Sequence, residues 1–214
     1  MKKSDKDKIS KELGVEPVLI NSKNFSGQLR SRLYWTNIPL DNIEDFHINI
    51  NLNECLNNSW TDRKKSYCIT ATYSRACSQD YFLFGQRQMV FTKPFKLEIK
   101  KEKVIVKKRD KNNKLVNKHV IRNINYYTID NKKIRIDKNG DKEQLKLIKP
   151  YLRKLTPNEC ELLQNLDKDY TLYGDFGKPI GIKKISNSFR YKTIGNGWTV
   201  NVIEYLLKNI SNEI

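Results

Sequence analysis

Residues 95–108 read FKLEIKKEKVIVKK, with apolar and charged side chains in near-alternation. Successive side chains of a strand point to opposite faces, so this period of two predicts a half-exposed strand or hairpin and excludes a helix. The neighbourhood agrees. Asp110–Asn113 reads as a turn and 115–121 (LVNKHVI) as a further strand. Tyr126–Ile129 and Ile134–Ile136 flank a turn at Asp130-Asn131, and Asn139-Gly140 is a hairpin-grade turn signal. Residues 66–73 (SYCITATY) also lean to strand. The stretch 66–138 therefore reads as a β-rich, loop-rich module with no internal repeat.

The flanks read differently. Ser4, followed by Asp5 and Asp7, predicts a helix N-terminus; Ile9 and Leu13 share one face, and Gly14 is placed to end the helix. Pro17–Ile20 suits a buried strand and Leu33–Trp35 another, with a boundary near residue 40. A short helix is expected around 50–56 and another over 141–149, ending at Pro150. Thr156-Pro157 with Glu159 forms a capping box that opens the next helix. A glycine-rich loop (Gly174, Gly177, Gly181) leads to a helix over 186–193. After Gly195-Asn196-Gly197 comes a last helix with Val200, Val202, Ile203, Leu206 and Leu207 on its apolar face.

Charge is the strongest compositional signal. The 214 residues carry 41 Lys and Arg against 24 Asp and Glu, a net +17, and 14 of those net charges fall between residues 51 and 150. A concentrated positive field attracts polyanions, because neutralised phosphates release their counterions; a solvated lysine-rich surface is the plainer reading. The basic run 100–109 suits phosphate contact better than base reading, or a solvated hairpin face. No apolar run approaches a membrane span, and the first residues lead into no signal-like stretch. Four cysteines without such a leader suggest reduced thiols and a cytoplasmic location. No C-x-x-C occurs and His47 and His119 stand alone, so no metal site is expected.

Three segments carry a resemblance. Gln28-Leu29-Arg30-Ser31-Arg32 is a Q-x-R-x-R signature after a strand, Arg153–Glu159 with Leu163-Gln164 follows an R-x-L-T-P-x-E…L-Q pattern, and Tyr191–Val200 contains a Gly-Asn pair. In order and spacing these resemble the DNA (cytosine-5) methyltransferase family, of phage and bacterial type, over 4–40 and 150–210, with a variable basic insert between. The resemblance implies a base flipped from the duplex, attack by a Pro-Cys thiolate on ring carbon 6 and a methyl from S-adenosylmethionine to carbon 5. A glutamate of an E-N-V segment would assist, and a glycine-rich turn would cradle the cofactor. None of these is in the chain. Its cysteines follow Glu54, Tyr67, Ala76 and Glu159, and neither E-N-V nor an early F-x-G-x-G occurs. The resemblance is thus to the C-terminal half only.

By position, the resemblance implies that Arg32 meets the flipped cytosine's carbonyl oxygen, with Arg30 and Gln28 supporting the phosphate and the catalytic loop. Asn196, Gly197 and Trp198 would adjoin S-adenosylmethionine as a partial site, although Gly197 departs from the small polar residue often found there. Thr70, Thr72 and Arg75 resemble a recognition loop on DNA, and Arg87 is a further candidate. Arg153, Thr156, Pro157 and Glu159 look structural.

The expected fold class is α+β. It comprises the C-terminal strands and returning helix of an α/β S-adenosylmethionine-dependent methyltransferase domain, plus a β-rich target-recognition small domain. The expected parts are 1–40, the tail of the cofactor domain; 41–150, target recognition; 151–190, the rest of the small domain; and 191–214, the returning helix. Expected partners are duplex DNA and an N-terminal methyltransferase half, with no membrane. The chain alone should be inactive, either as one subunit of a split enzyme or as a truncated product. A non-catalytic DNA-binding remnant is the alternative. An unrelated basic binding protein is the third, and it requires residues 28–32 and 195–198 to lie far apart.

Overall fold

In the computed structural model, residues 1–46, 48–109, 113–137 and 142–210 are described. The expected turns at Asp110–Asn113 and Asn139-Gly140, and His47, lie wholly or largely outside them. In chain order the elements are α1 (Lys3–Leu13), β1 (Pro17–Asn21), β2 (Ser31–Trp35), α2 (Ser78–Phe82) and β3 (Met89–Phe91). Then come β4 (Lys96–Arg109), β5 (Leu115–Ile129), β6 (Lys132–Ile136), α3 (Lys142–Ile148), β7 (Leu152–Lys154) and α4 (Pro157–Leu162). The last are β8 (Tyr173–Asp175), β9 (Ile182–Lys184), α5 (Asn187–Asn196) and α6 (Val200–Leu207). Helix and strand are mixed, in keeping with an α+β chain.

Two compact units result. The first gathers Met1–Asn57, Arg63–Arg75 and Leu155–Ile214; the second comprises Asn58–Asp62 and Ala76–Lys154. Residues 41–57 and 63–75 therefore fold with the chain termini, across the boundary expected near residue 40.

In the first unit β1 and β2 pair antiparallel, Pro17 opposite Trp35 and Asn21 opposite Ser31. Gly14 takes the left-handed conformation that ends α1. The helix begins one residue before Ser4, with Lys2 at its N-cap and no side-chain cap, so the expected Ser4 cap is not used. The apolar face of α6 supplies Val202, Tyr205 and Leu206 to a core with Ile20 and Phe25. Tyr205 Oη donates to Asp41 O (2.6 Å) and closes this core.

Two expectations need correction here. Residues 66–73 form no strand; Ser66 makes one isolated parallel bridge with Gln28, and 73–75 is a 3-10 turn. The polar groups of this stretch go elsewhere: Ile69 N–H donates to Gln28 and Ile69 O accepts from Arg30. The helix expected over 50–56 is a 3-10 turn, Leu52–Cys55. The glycine-rich segment holds an unforeseen hairpin, β8 against β9. By contrast, α4 opens on the expected capping box: Thr156 Oγ1 accepts from Glu159 N–H and Glu159 accepts from Thr156 N–H (2.7 Å).

The second unit is built on a long ribbon. β4 pairs antiparallel with β5 from Lys96–Thr128 to Arg109–Leu115, and β6 adds to β5. At the base of the ribbon Phe91 and Tyr127 stack at 5.2 Å, with Phe95 and Phe82 against them. Tyr127 Oη donates to Asp62 (2.6 Å), satisfying a phenol in an apolar setting. The helix expected to stop at Pro150 continues as a 3-10 turn over Lys149–Tyr151, which accommodates a proline in its first turn.

Candidate functional site

The Q-x-R-x-R segment starts inside the first unit and ends at its surface. Gln28 is fully buried. Its Nε2 donates to Leu163 O (2.6 Å) and Gln164 Oε1 (2.9 Å), and its Oε1 accepts from Ile69 N–H (3.2 Å). With its amide spent on the chain itself, Gln28 is a structural residue and not the DNA contact expected from its position. Gln164 extends the network. Its Nε2 donates to Ile194 O (2.9 Å), its Oε1 accepts from Thr199 Oγ1 (2.8 Å), and Thr199 lies 3.0 Å from Ser22 Oγ. Buried amides need such partners, since an unmade hydrogen bond in the interior is costly.

Arg30 is the hub. It is 4% exposed, and its Nη1 donates to Ile69 O (2.8 Å). Its Nη2 donates to Gly195 O (3.2 Å) and Gly197 O (2.6 Å). The planar fork thus bonds two backbone segments at once, a geometry lysine cannot copy. Gly195 lets them meet: a Cβ there would lie 2.2 Å from the Thr70 carbonyl carbon and 2.3 Å from Ala71 N. The segments 28–32, 69–71 and 195–198 therefore pack together. That excludes the third reading, which required the first and last of these to lie apart.

The groups left at the surface are those the resemblance places on ligands. Arg32 is exposed; its Nη1 donates to Ser31 O (2.8 Å) and its Nη2 points to Cys68 Sγ (3.8 Å). Thr70 and Thr72 are exposed with their hydroxyls 3.3 Å apart, and Arg75 is exposed on the turn that follows. Asn196 is exposed and Trp198 is 65% exposed, so the indole is not core packing. The Asn196 amide and the indole face are available, but the carbonyls of Gly195 and Gly197 are already engaged by Arg30. Arg87 is in the second unit and bonds Asp80 Oδ2 at 2.8 Å, which gives it a structural task there.

None of the four cysteines follows a proline, and two of them are buried. Burial pushes the Cys55 thiol up to about 11, helped by Glu54, and raises Cys160 well above the ordinary thiol range. The thiolate is the attacking species, so these two are inert at neutral pH. Among the described residues no group of three or more His, Cys, Asp and Glu could hold a metal ion, and no helix is long and apolar enough to cross a membrane.

A family model for C-5 cytosine-specific DNA methylase matches residues 10–212. The chain belongs to that family. Membership in the C-5 cytosine-specific DNA methylases implies DNA as substrate and S-adenosylmethionine as methyl source. No match was found among curated proteins. Within this methylase chain, sequence reasoning found the arginines and the Gly-Asn turn but missed Gln164 and Thr199 as the joint between them. The Leu163-Gln164 pair of the middle motif was the available signal.

Proposed function

We propose that this chain is the target-recognition and site-completing part of a DNA cytosine-5 methyltransferase. It works with a catalytic segment, carried on the same longer polypeptide or on another, that supplies the Pro-Cys nucleophile and the E-N-V glutamate. The observation that supports this reading is the bonding of Arg30 to Ile69 O, Gly195 O and Gly197 O, which holds together the segments that carry Arg32, Thr70, Asn196 and Trp198. Arg32, a fixed fork of donors, meets the carbonyl oxygen of the flipped cytosine. Thr70, Thr72 and Arg75 face the duplex, and Asn196, Gly197 and Trp198 close one side of the S-adenosylmethionine site.

Strand β1 supports the need for a catalytic segment. Val18 and Leu19 point to opposite faces of the strand, yet they are 40% and 66% exposed. Strands buried on both faces are a property of parallel α/β sheets; β1 has the composition of an interior strand, yet in this chain Ile20 is covered by the core while Val18 and Leu19 are left open. We infer that the sheet of the catalytic segment covers them.

The test is transfer of a tritiated methyl group from S-adenosylmethionine to duplex DNA. The purified chain alone gives none, and adding a protein that carries the Pro-Cys and E-N-V half restores transfer. Methylation by the chain alone overturns the proposal. Salt-dependent DNA binding without activity in any such mixture identifies a DNA-binding remnant instead.

A further inference from the structure

The two-stranded ribbon β4–β5 has two unlike faces. Pairs such as Lys103–Ile121 and Ile105–His119 join odd-numbered residues to odd, and directly opposed residues share a face. The even face carries the buried residues Val104, Val106 and Ile124, its acids are engaged, Glu98 with Lys133 and Glu102 with Arg135, and Lys96, Lys100 and Lys118 are exposed on it. The odd face is open. Ile99, Ile105, Leu115 and Ile121 are 59–75% exposed on it. Between them stand Lys101, Lys103 and Lys107, together with Asn117 and Asn123, all exposed. No Asp or Glu occupies an odd position of either paired segment, 97–109 or 115–127.

We propose that this odd face reads a groove of duplex DNA. The inference rests on the chain acting on DNA and names a surface that reading did not include. Uniform positive charge fits a row of phosphates, and asparagine amides match the donor–acceptor edge of adenine. Isoleucine side chains suit contact with thymine methyls. An anionic membrane would also attract the lysines and isoleucines, but amides interleaved among the isoleucines would have to enter an apolar layer without partners. A major groove admits a two-stranded ribbon. The open stretch 99–109 extends about 36 Å at strand rise, close to one turn of duplex.

The experiment measures duplex binding by the full chain across a salt series. K101Q/K103Q/K107Q removes three odd-face charges, and K96Q/K100Q/K118Q removes three from the even face as a control of equal net charge. The slope of log affinity against log salt should fall by about 2 to 3 in the odd-face variant and by less than 1 in the control. In duplexes selected from a random pool by the unaltered chain, N117A/N123A should flatten the sequence preference. Equal losses in the two lysine variants, or unchanged preference in the asparagine variant, overturn the groove-reading surface. If the unaltered chain binds no duplex, the DNA reading itself falls; if it binds and only this face proves irrelevant, that reading stands. Loss of binding to anionic vesicles, but not to duplex, in the odd-face variant assigns the face to membrane and overturns the proposal.

Discussion

Arg30 illustrates how a residue of a binding signature can serve the interior. Its guanidinium reaches carbonyls at Ile69, Gly195 and Gly197, and an ammonium has neither the span nor the plane to do so. Arg30→Lys should lower unfolding free energy by about 3 kcal/mol, since buried acceptors are stranded; urea denaturation reads it. Trp198→Ala should change stability by less than about 0.5 kcal/mol, because the ring is mostly in solvent, while weakening S-adenosylmethionine in equilibrium binding to the complemented enzyme. Thiol titration of the native chain should label Cys77, which is exposed, well before Cys55 and Cys160, which react only on unfolding. Here sequence was a partial guide. The order Gln28, Arg30, Arg32 pointed to one locality, but alternation along the chain could not show that 28 and 30 face inward while 32 faces out. That depends on Leu163, Gln164 and Gly195, far away along the chain.

At the scale of elements, α4 and α5 are joined by a buried ion pair. Arg190 Nη2 donates to Glu161 Oε1 at 2.8 Å, with side chains 4% and 0% exposed. Thr171 and Asn158 complete the shell of this pair. Glu161→Leu leaves Arg190 without its main counter-charge and should cost about 3 to 5 kcal/mol, measured by thermal unfolding. In the second unit, desolvation acts to raise Asp80, but bonds from Arg87 and Cys77 outweigh it and hold the carboxyl below its ordinary range. Its folded value being the lower, the pair stabilises the fold above the unfolded carboxylate pKa, and that contribution is lost as pH falls through the folded one. Arg87→Gln should therefore destabilise at pH 7 and match the unaltered chain in strong acid. Elements with local signals were legible: the period-2 run became β4, and Thr156-Pro157 with Glu159 became the cap of α4. Residues 66–73 were not, because β propensity there yields to hydrogen bonds supplied by Gln28 and Arg30.

For the molecule as a whole, charge and topology divide between the two units. The second unit holds most of the basic segment and the open ribbon face, and the first holds the convergence of the three motifs. Packing runs across residue 40, where composition shifts: Asp41 is tied to Tyr205 and Lys208 of the last helix region. With Val18 and Leu19 exposed, the chain should self-associate through β1, and Leu19→Lys should reduce the apparent mass in light scattering.

The first unit is assembled from pieces that the ribosome produces far apart in time. Ser22 waits for Thr199, and Arg30 for the carbonyls of Gly195 and Gly197, whereas nearly all of the second unit runs without interruption from Ala76 to Lys154. During synthesis the guanidinium of Arg30 must stay hydrated until residues 195–197 have emerged, so the locality around it orders only after the whole of the second unit has been made.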